Sequence, residues 1–215
     1  LGERGQVALE TARSSSTRFT WERPAAMSKN IVMISVDDML NVVRYRDAFG
    51  LRIETPNIDR LADMGTTFEN AVAPVPVCSA ARAGVVTSRS PFATGIHSNQ
   101  DLIQEVVPIH DTMFGAAHAA GFYTWAQGKT FHGQLKDDVK QYIAPVFDYL
   151  ADEGRGDGWQ GGWNSIDDVG ATSVPESELK DTVTGKAAAK FLRNYDGNDP
   201  FFMAVGIFKP HLRNV

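Results

Sequence analysis

Residues 30–36 read NIVMISV, and the acidic pair Asp37-Asp38 follows at once. The run is short, β-branched and almost wholly apolar, so neither face of the strand it predicts is built to meet water. That pattern suits a central strand of a parallel sheet with helices on both sides. A second run of the same kind, FFMAVGI, occupies residues 201–207. Between the two, helix and strand signals alternate. Thr55-Pro56 opens a helix through Asp63, with proline at the first helical position and Gly65 beyond its end. Residues 66–72 read as a strand, 79–87 as a short helix, and 111–120 as a helix stopped by Gly121. Residues 122–126 predict a further strand. Residues 175–194 predict a helix with Leu179, Val183, Ala187 and Phe191 along one face. The predicted fold is therefore α/β, a mainly parallel central sheet with helices on both faces.

Composition narrows the function classes. Hydrophobic residues make up 43% and charged residues 22% of the 215, so the chain can bury a core without disulfides or a structural metal. A net charge of −5 with no Lys/Arg run argues against a nucleic-acid partner. No stretch approaches the ~20 apolar residues that cross a bilayer, so no membrane partner is expected. One cysteine excludes an intrachain disulfide and Cys-rich zinc sites. Residues 1–26 lack the apolar core of a secretory signal. They read as an unstructured leader or upstream remnant ahead of Met27, the alternative being an extra helix over residues 7–13. The expected location is then cytoplasmic. Residues 152–172, rich in Gly, Asp and Trp, read as a long surface loop.

The polar residues that stand out follow the predicted strands directly, and open α/β sheets bind ligands outside the carboxyl ends of their strands. Asp37 and Asp38 supply hard oxygen donors for Ca²⁺ or Mg²⁺, although a turn or helix cap is the bland alternative. Cys78 opens the helix after Pro74 and Pro76, near amides and a dipole that favour anions. Arg82, four residues on, returns to the same helix face. A nucleophile with a guanidinium beside it suits a tetrahedral oxyanion, whereas a buried inert thiol is the commoner fate of a free cysteine. Lys129 and His132 follow the 122–126 strand, and Lys209 and His211 follow the last. Taken singly, each of these four reads as a solvated loop residue or a core histidine. His97, His110 and His118 lack such company and read as structural.

Cys78-Ser79-Ala80-Ala81-Arg82 resembles the sulfatase signature Cys-x-Pro-x-Arg, with Ala80 in place of proline. The strand ending in Asp37-Asp38, the helix TPNIDRLA from Thr55, TFENA from Thr67, GKTFH from Gly128 and FFMAVGIFKPH from Phe201 match the sulfatase family in order and spacing. Within the alkaline-phosphatase-like superfamily, Gly-Lys-x-x-His together with Lys-Pro-His is most similar to the iduronate-2-sulfatase branch. The resemblance covers residues 29–212, and five motifs in order carry more than any one alone. It implies that a maturation enzyme oxidises Cys78 to formylglycine and that Asp37, Asp38 and residue 78 hold Ca²⁺, or Mg²⁺. It also implies that Arg82, Lys129, His132, Lys209 and His211 surround a sulfate ester, expected to be that of a sulfated sugar. In the implied reaction one hydroxyl of the hydrated aldehyde attacks sulfur and the alcohol leaves. Loss of the second hydroxyl's proton then collapses the intermediate to the aldehyde and releases sulfate.

Family members continue well past the Lys-Pro-His motif and there supply further metal ligands and a lysine. Residues 27–215 are therefore expected to form the N-terminal portion of a sulfatase catalytic domain, poorly active alone. Competing readings are a phosphoesterase or phosphonate hydrolase of the same superfamily and a non-catalytic anion-binding remnant. A cysteine protease fits less well, since it leaves the acidic pair and the lysines without a role.

Overall fold

A computed structural model describes residues 29–133, 136–151 and 174–211. The leader and the predicted loop over residues 152–172 lie outside the described residues. In chain order the elements are β1 (Ile31–Val36), α1 (Val42–Phe49), α2 (Pro56–Asp63), α3 (Cys78–Thr87), α4 (Pro91–Thr94), α5 (Ile103–Val106), α6 (Met113–Ala119), β2 (Tyr123–Gly128), α7 (Asp137–Ile143), β3 (Tyr149–Ala151), α8 (Lys180–Asn194) and β4 (Phe201–Ile207). Short 3₁₀ turns precede α6 and α8 and follow α7. Among the described residues the strands form one sheet in the order β1-β4-β2-β3, and every pair is parallel.

Side chains alternate across a strand, so β4 divides the core in two. Phe202 and Ala204 face one side with Ala126, where Ala80, Ala83 and Val86 of α3, Phe114 and Ala117 of α6, and Val139 and Ile143 of α7 cover them. Phe201, Met203 and Val205 face the other side with Trp125, against Ala187, Ala188 and Phe191 of α8. Helices thus cover both faces, as the double-sided apolarity of residues 201–207 requires.

Three expectations are corrected. Residues 30–36 are not central: β1 pairs with β4 alone among the described strands, and Ile34 is 57% exposed. An apolar run reports that a strand avoids water but not how many partners it has. Residues 66–72 form no strand; Phe68 is 78% and Val72 88% exposed. Extended propensity is not enough when no neighbouring strand takes the backbone N–H and C=O groups. The helix predicted over residues 175–194 is divided, a 3₁₀ turn over Glu176–Glu178 preceding α8. Unforeseen elements are α1, capped by the Asn41 side chain accepting from the Arg44 amide at 3.1 Å, together with α4, α5, α7 and β3.

Where β2 and β4 end, the two backbones come unusually close. A Cβ on Gly128, whose φ is +79°, would lie 2.0 Å from the Gly206 carbonyl oxygen, and a Cβ on Gly206 would lie 2.2 Å from the Lys129 carbonyl carbon. Only glycine fits at either position, and the contact sets the spacing of the segments that follow.

Phe114 tests the larger core cluster. It is fully buried, packed edge-on to Phe202 at 5.5 Å between centroids and near Phe131 and Phe147 at 5.4 and 5.1 Å. Phe114→Ala is expected to destabilise the chain by about 3–5 kcal/mol, read as a shift in the urea-unfolding midpoint.

Candidate active site

The parallel ladder runs one residue past each strand and so assembles the site. The Asp37 amide donates to the Ile207 carbonyl and the Lys129 amide to the Gly206 carbonyl, each at 3.0 Å. Asp37 and Lys129 therefore flank the end of β4, and residues 208–211 leave the sheet between them. All three segments lie at the carboxyl edge, where the sequence placed them. Asp38 follows with φ +55°, a left-handed conformation that aspartate tolerates better than most residues. This turn buries Asp37 and leaves the Asp38 side chain 55% exposed.

Asp37 is the electrostatic centre. One carboxylate oxygen accepts from Arg82 Nη2 at 2.7 Å and the other pairs with Lys129 Nζ. The second Arg82 terminal nitrogen donates to the Lys129 carbonyl at 2.5 Å and to Ser35 Oγ at 3.3 Å. Arg82 thus ties α3 to the ends of β1 and β2. Burial pushes the Asp37 carboxyl up, but the Lys129 ammonium and Arg82 guanidinium together outweigh it and hold the acid below its ordinary value. Two cations in a poorly solvated site keep this carboxylate ionised.

Cys78 begins α3, as expected. The amide of Ser79, next in the helix, is already engaged by Asn99 Oδ1 at 3.0 Å, and Ser79 Oγ donates to the Asp101 carbonyl at 2.9 Å. The 99–101 segment therefore braces this helix end. Burial raises the Cys78 thiol pKa; Asp37 and Asp38 add to the rise while Lys129 and Arg82 oppose it. The thiol is held protonated, which disfavours thiolate chemistry at this position. His211 Nε2 lies 3.9 Å from a carboxylate oxygen of both Asp37 and Asp38. One donor atom each from Asp37, Asp38, Cys78 and His211 falls within 4.8 Å of the others. His132 is held neutral by burial and by the nearby Lys129 and Arg82 charges, and its Nδ1 is buried without a hydrogen-bond partner among the described residues. Lys209 stands further out: its Nζ is 5.9 Å from the centroid of the Phe208 ring, over which Lys129 Nζ sits at 4.6 Å.

A cavity of about 450 Å³ opens beside Asp37, Asp38, Cys78 and Arg82, with Ser35 and Thr130 completing its polar lining; Lys129, His132, Lys209 and His211 are not among its lining residues. Ser35 was not singled out from sequence, although its position two residues before Asp37 puts both side chains on one strand face. Phe208 offered no comparable signal, because an apolar residue after an apolar strand reads as more core.

The donor set fits a hard divalent cation. Each Asp37 oxygen has two lone-pair directions and can accept a hydrogen bond while still ligating. Asp38 is accessible, and the His211 imidazole lies beside both carboxylates. A thiol is too soft for Ca²⁺ or Mg²⁺, whereas an oxygen at position 78 suits either. Ca²⁺ takes roughly 6–8 oxygens, so these residues supply one part of a coordination shell.

Fold and site together define a parallel α/β protein with a candidate metal site, flanked by Arg82 and Lys129, at the carboxyl edge of its sheet. The sulfatase family profile matches residues 29–214, and the chain belongs to the sulfatase family. It is 29% identical over 203 residues to a sulfatase of Formosa agariphila, covering 85% of this chain and 39% of that protein. It is 27% identical over 219 residues to mouse iduronate 2-sulfatase, covering 96% of this chain and 38% of that protein. Among solved structures, the phosphonate monoester hydrolase of Agrobacterium radiobacter superposes with a TM-score of 0.63 at 22% identity, covering 85% of this chain and 41% of that one. The chain thus spans about two-fifths of the length of the proteins it matches.

Asp37→Asn is expected to destabilise the chain by about 3–5 kcal/mol at neutral pH, because it leaves two buried cations without their counter-charge. The wild-type carboxyl titrates below its ordinary value of 3.8 when folded. Its contribution is therefore complete above that pH and is lost as the pH falls toward the folded-state value. Unfolding curves from pH 7 down to pH 2 should show this acid limb in the wild type and a flatter one in Asp37→Asn.

Proposed function

We propose that the protein carrying this chain is a sulfuric ester hydrolase acting on a sulfated sugar, with formylglycine made from Cys78 as its nucleophile. The observation that carries the reading is the meeting of Asp37, Asp38, Cys78 and His211 within 4.8 Å, beside the cations Arg82 and Lys129. Each group has a place in sulfate-ester cleavage. Asp37 and Asp38, with residue 78, would hold Ca²⁺ or Mg²⁺, which lowers the pKa of a bound hydroxyl and neutralises charge on the ester. Hydrated formylglycine supplies an oxygen nucleophile that the protonated thiol does not.

This chain's own groups do the rest. Arg82, fixed by Asp37, Ser35 and the Lys129 carbonyl, brings positive charge beside position 78 without needing to reorganise. Lys129 and His211 approach from the ends of two adjacent strands and meet the equatorial oxygens of a sulfate, where charge grows during transfer. His132, held neutral, can act as the base that takes the proton lost by the second hydroxyl of the hydrated aldehyde as the intermediate collapses. Lys209, 5.9 Å from the centroid of the Phe208 ring, adds longer-range attraction for an anionic substrate.

Sequence similarity to iduronate 2-sulfatase favours a sulfated sugar. The fold does not choose between sulfate and phosphonate, since a phosphonate monoester hydrolase shares it; the family match across residues 29–214 favours sulfate. The reading requires a formylglycine-generating enzyme as a maturation partner, acting on a signature in which Ala80 stands for proline.

Co-expression of the chain with a formylglycine-generating enzyme, followed by tryptic mass spectrometry, is expected to yield an aldehyde-bearing peptide at position 78, reactive toward hydrazide. A thiol in every recovered peptide would count decisively against this nucleophile. Parallel assays of the protein with aryl sulfate and aryl phosphate are expected to favour the sulfate, and Cys78→Ala to reduce that turnover at least a thousandfold. Faster phosphate turnover would move the assignment to phosphoester chemistry.

A further inference from the structure

Beyond Ile207 the chain leaves the sheet, and the amides of Phe208 and Lys209 lose the strand ladder that would have satisfied them. They do not turn to solvent. Asp181, in the first turn of α8, accepts from Phe208 N with one carboxylate oxygen at 2.7 Å and from Lys209 N with the other at 2.8 Å. Both distances fall in the range of charge-assisted bonds. An acid in a first helical turn is ordinarily explained by the helix dipole or by capping. Here Leu179 is the N-cap and no side chain caps the helix, while both Asp181 oxygens reach a segment 27 and 28 residues away.

The segment held in this way carries the aromatic ring on which the site's mobile groups rest. Phe208 lies under Lys129 Nζ at 4.6 Å and beside the His211 ring at 4.9 Å between centroids. The Lys180 and Lys209 ammoniums lie 4.9 and 5.9 Å from the same ring. A lysine side chain has four rotatable bonds. A fixed ring face that attracts the ammonium narrows its range and aims it at Asp37.

We infer that Asp181 is a positioning residue of the active site, clamping the Phe208-Lys209 backbone so that the Phe208 ring sets Lys129 and His211 around the bound anion. It acts through the residues it holds and is given no contact with metal or substrate. Its role rests on the proposed function, because that reading makes Lys129 and His211 the anion-contacting groups. α8 thereby becomes part of the site, although the residues assigned chemistry lie elsewhere.

The test uses the chain itself with inorganic sulfate as probe, and measures amide hydrogen exchange and sulfate affinity by NMR. Asp181→Asn replaces one acceptor oxygen by an amide that cannot accept. It is expected to speed exchange at Phe208 and Lys209 by about tenfold or more, the scale of one lost charge-assisted bond. Sulfate affinity should fall severalfold, while amides 202–206 inside β4 keep their protection. Asp181→Glu, which keeps the carboxylate, should recover part of both effects. Phe208→Leu should weaken sulfate binding while leaving the two amides protected. Unchanged exchange at Phe208 and Lys209 in Asp181→Asn overturns the proposal with the sulfate site intact. So does a loss of protection spread evenly through β4, which is the mark of a purely structural role. His211→Ala that binds sulfate as the wild type does overturns the sulfate reading underneath, and the positioning role with it.

Discussion

Parallel pairing of β4 with β1 on one side and β2 on the other is the constraint from which the rest of this structure follows. Parallel strands end at the same edge, so whatever the sequence writes after each strand is delivered to one place. Register then matters at the level of single residues. Val36 lies opposite Ile207 and Gly128 opposite Gly206, so Asp37 and Lys129 emerge level with the start of the Phe208–His211 segment. The facing glycines at 128 and 206 let these backbones approach without a Cβ between them. A one-residue slip would turn the Asp37 and Lys129 side chains away from each other.

The charge arrangement at that edge explains why so polar a group can lie partly buried. Arg82 and Lys129 each engage a different oxygen of Asp37, so neither the carboxylate nor the two cations are buried unpaired. Once Asp37 is satisfied, the rest of the site is left with distinct characters: an exposed carboxylate at Asp38, a protonated thiol at Cys78 and a neutral imidazole at His132. A protonated thiol between carboxylates and cations is a poor nucleophile. The same location suits an oxygen nucleophile, which is the chemical sense of the proposed conversion of this residue to formylglycine.

Legibility in the sequence followed the range of the interactions concerned. The α2 boundaries, the start of α3 at Cys78 and the last strand were readable because proline, glycine and apolar periodicity act over a few residues. The grouping of Asp37, Cys78, Arg82, Lys129 and His211 was readable because strand-end placement in a parallel sheet follows from topology. By contrast, the edge position of β1 and the failure of residues 66–72 to form a strand depend on partners far along the chain. Asp181 was equally hidden. A lone acid at a helix start looks like dipole compensation, and only the fold shows that its two oxygens hold a loop 27 residues later.

The amino-acid sequence by itself determined the α/β class, the bounds of α2, the start of α3 and the motif set that belongs to the sulfatase family, since each is carried by local pattern and spacing. Tertiary structure alone decided which strands are central, how Arg82 and Lys129 divide the oxygens of Asp37, and how α8 reaches into the site. Those outcomes depend on distances between groups far apart along the chain. Such distances are set by packing and register, which local sequence pattern does not encode.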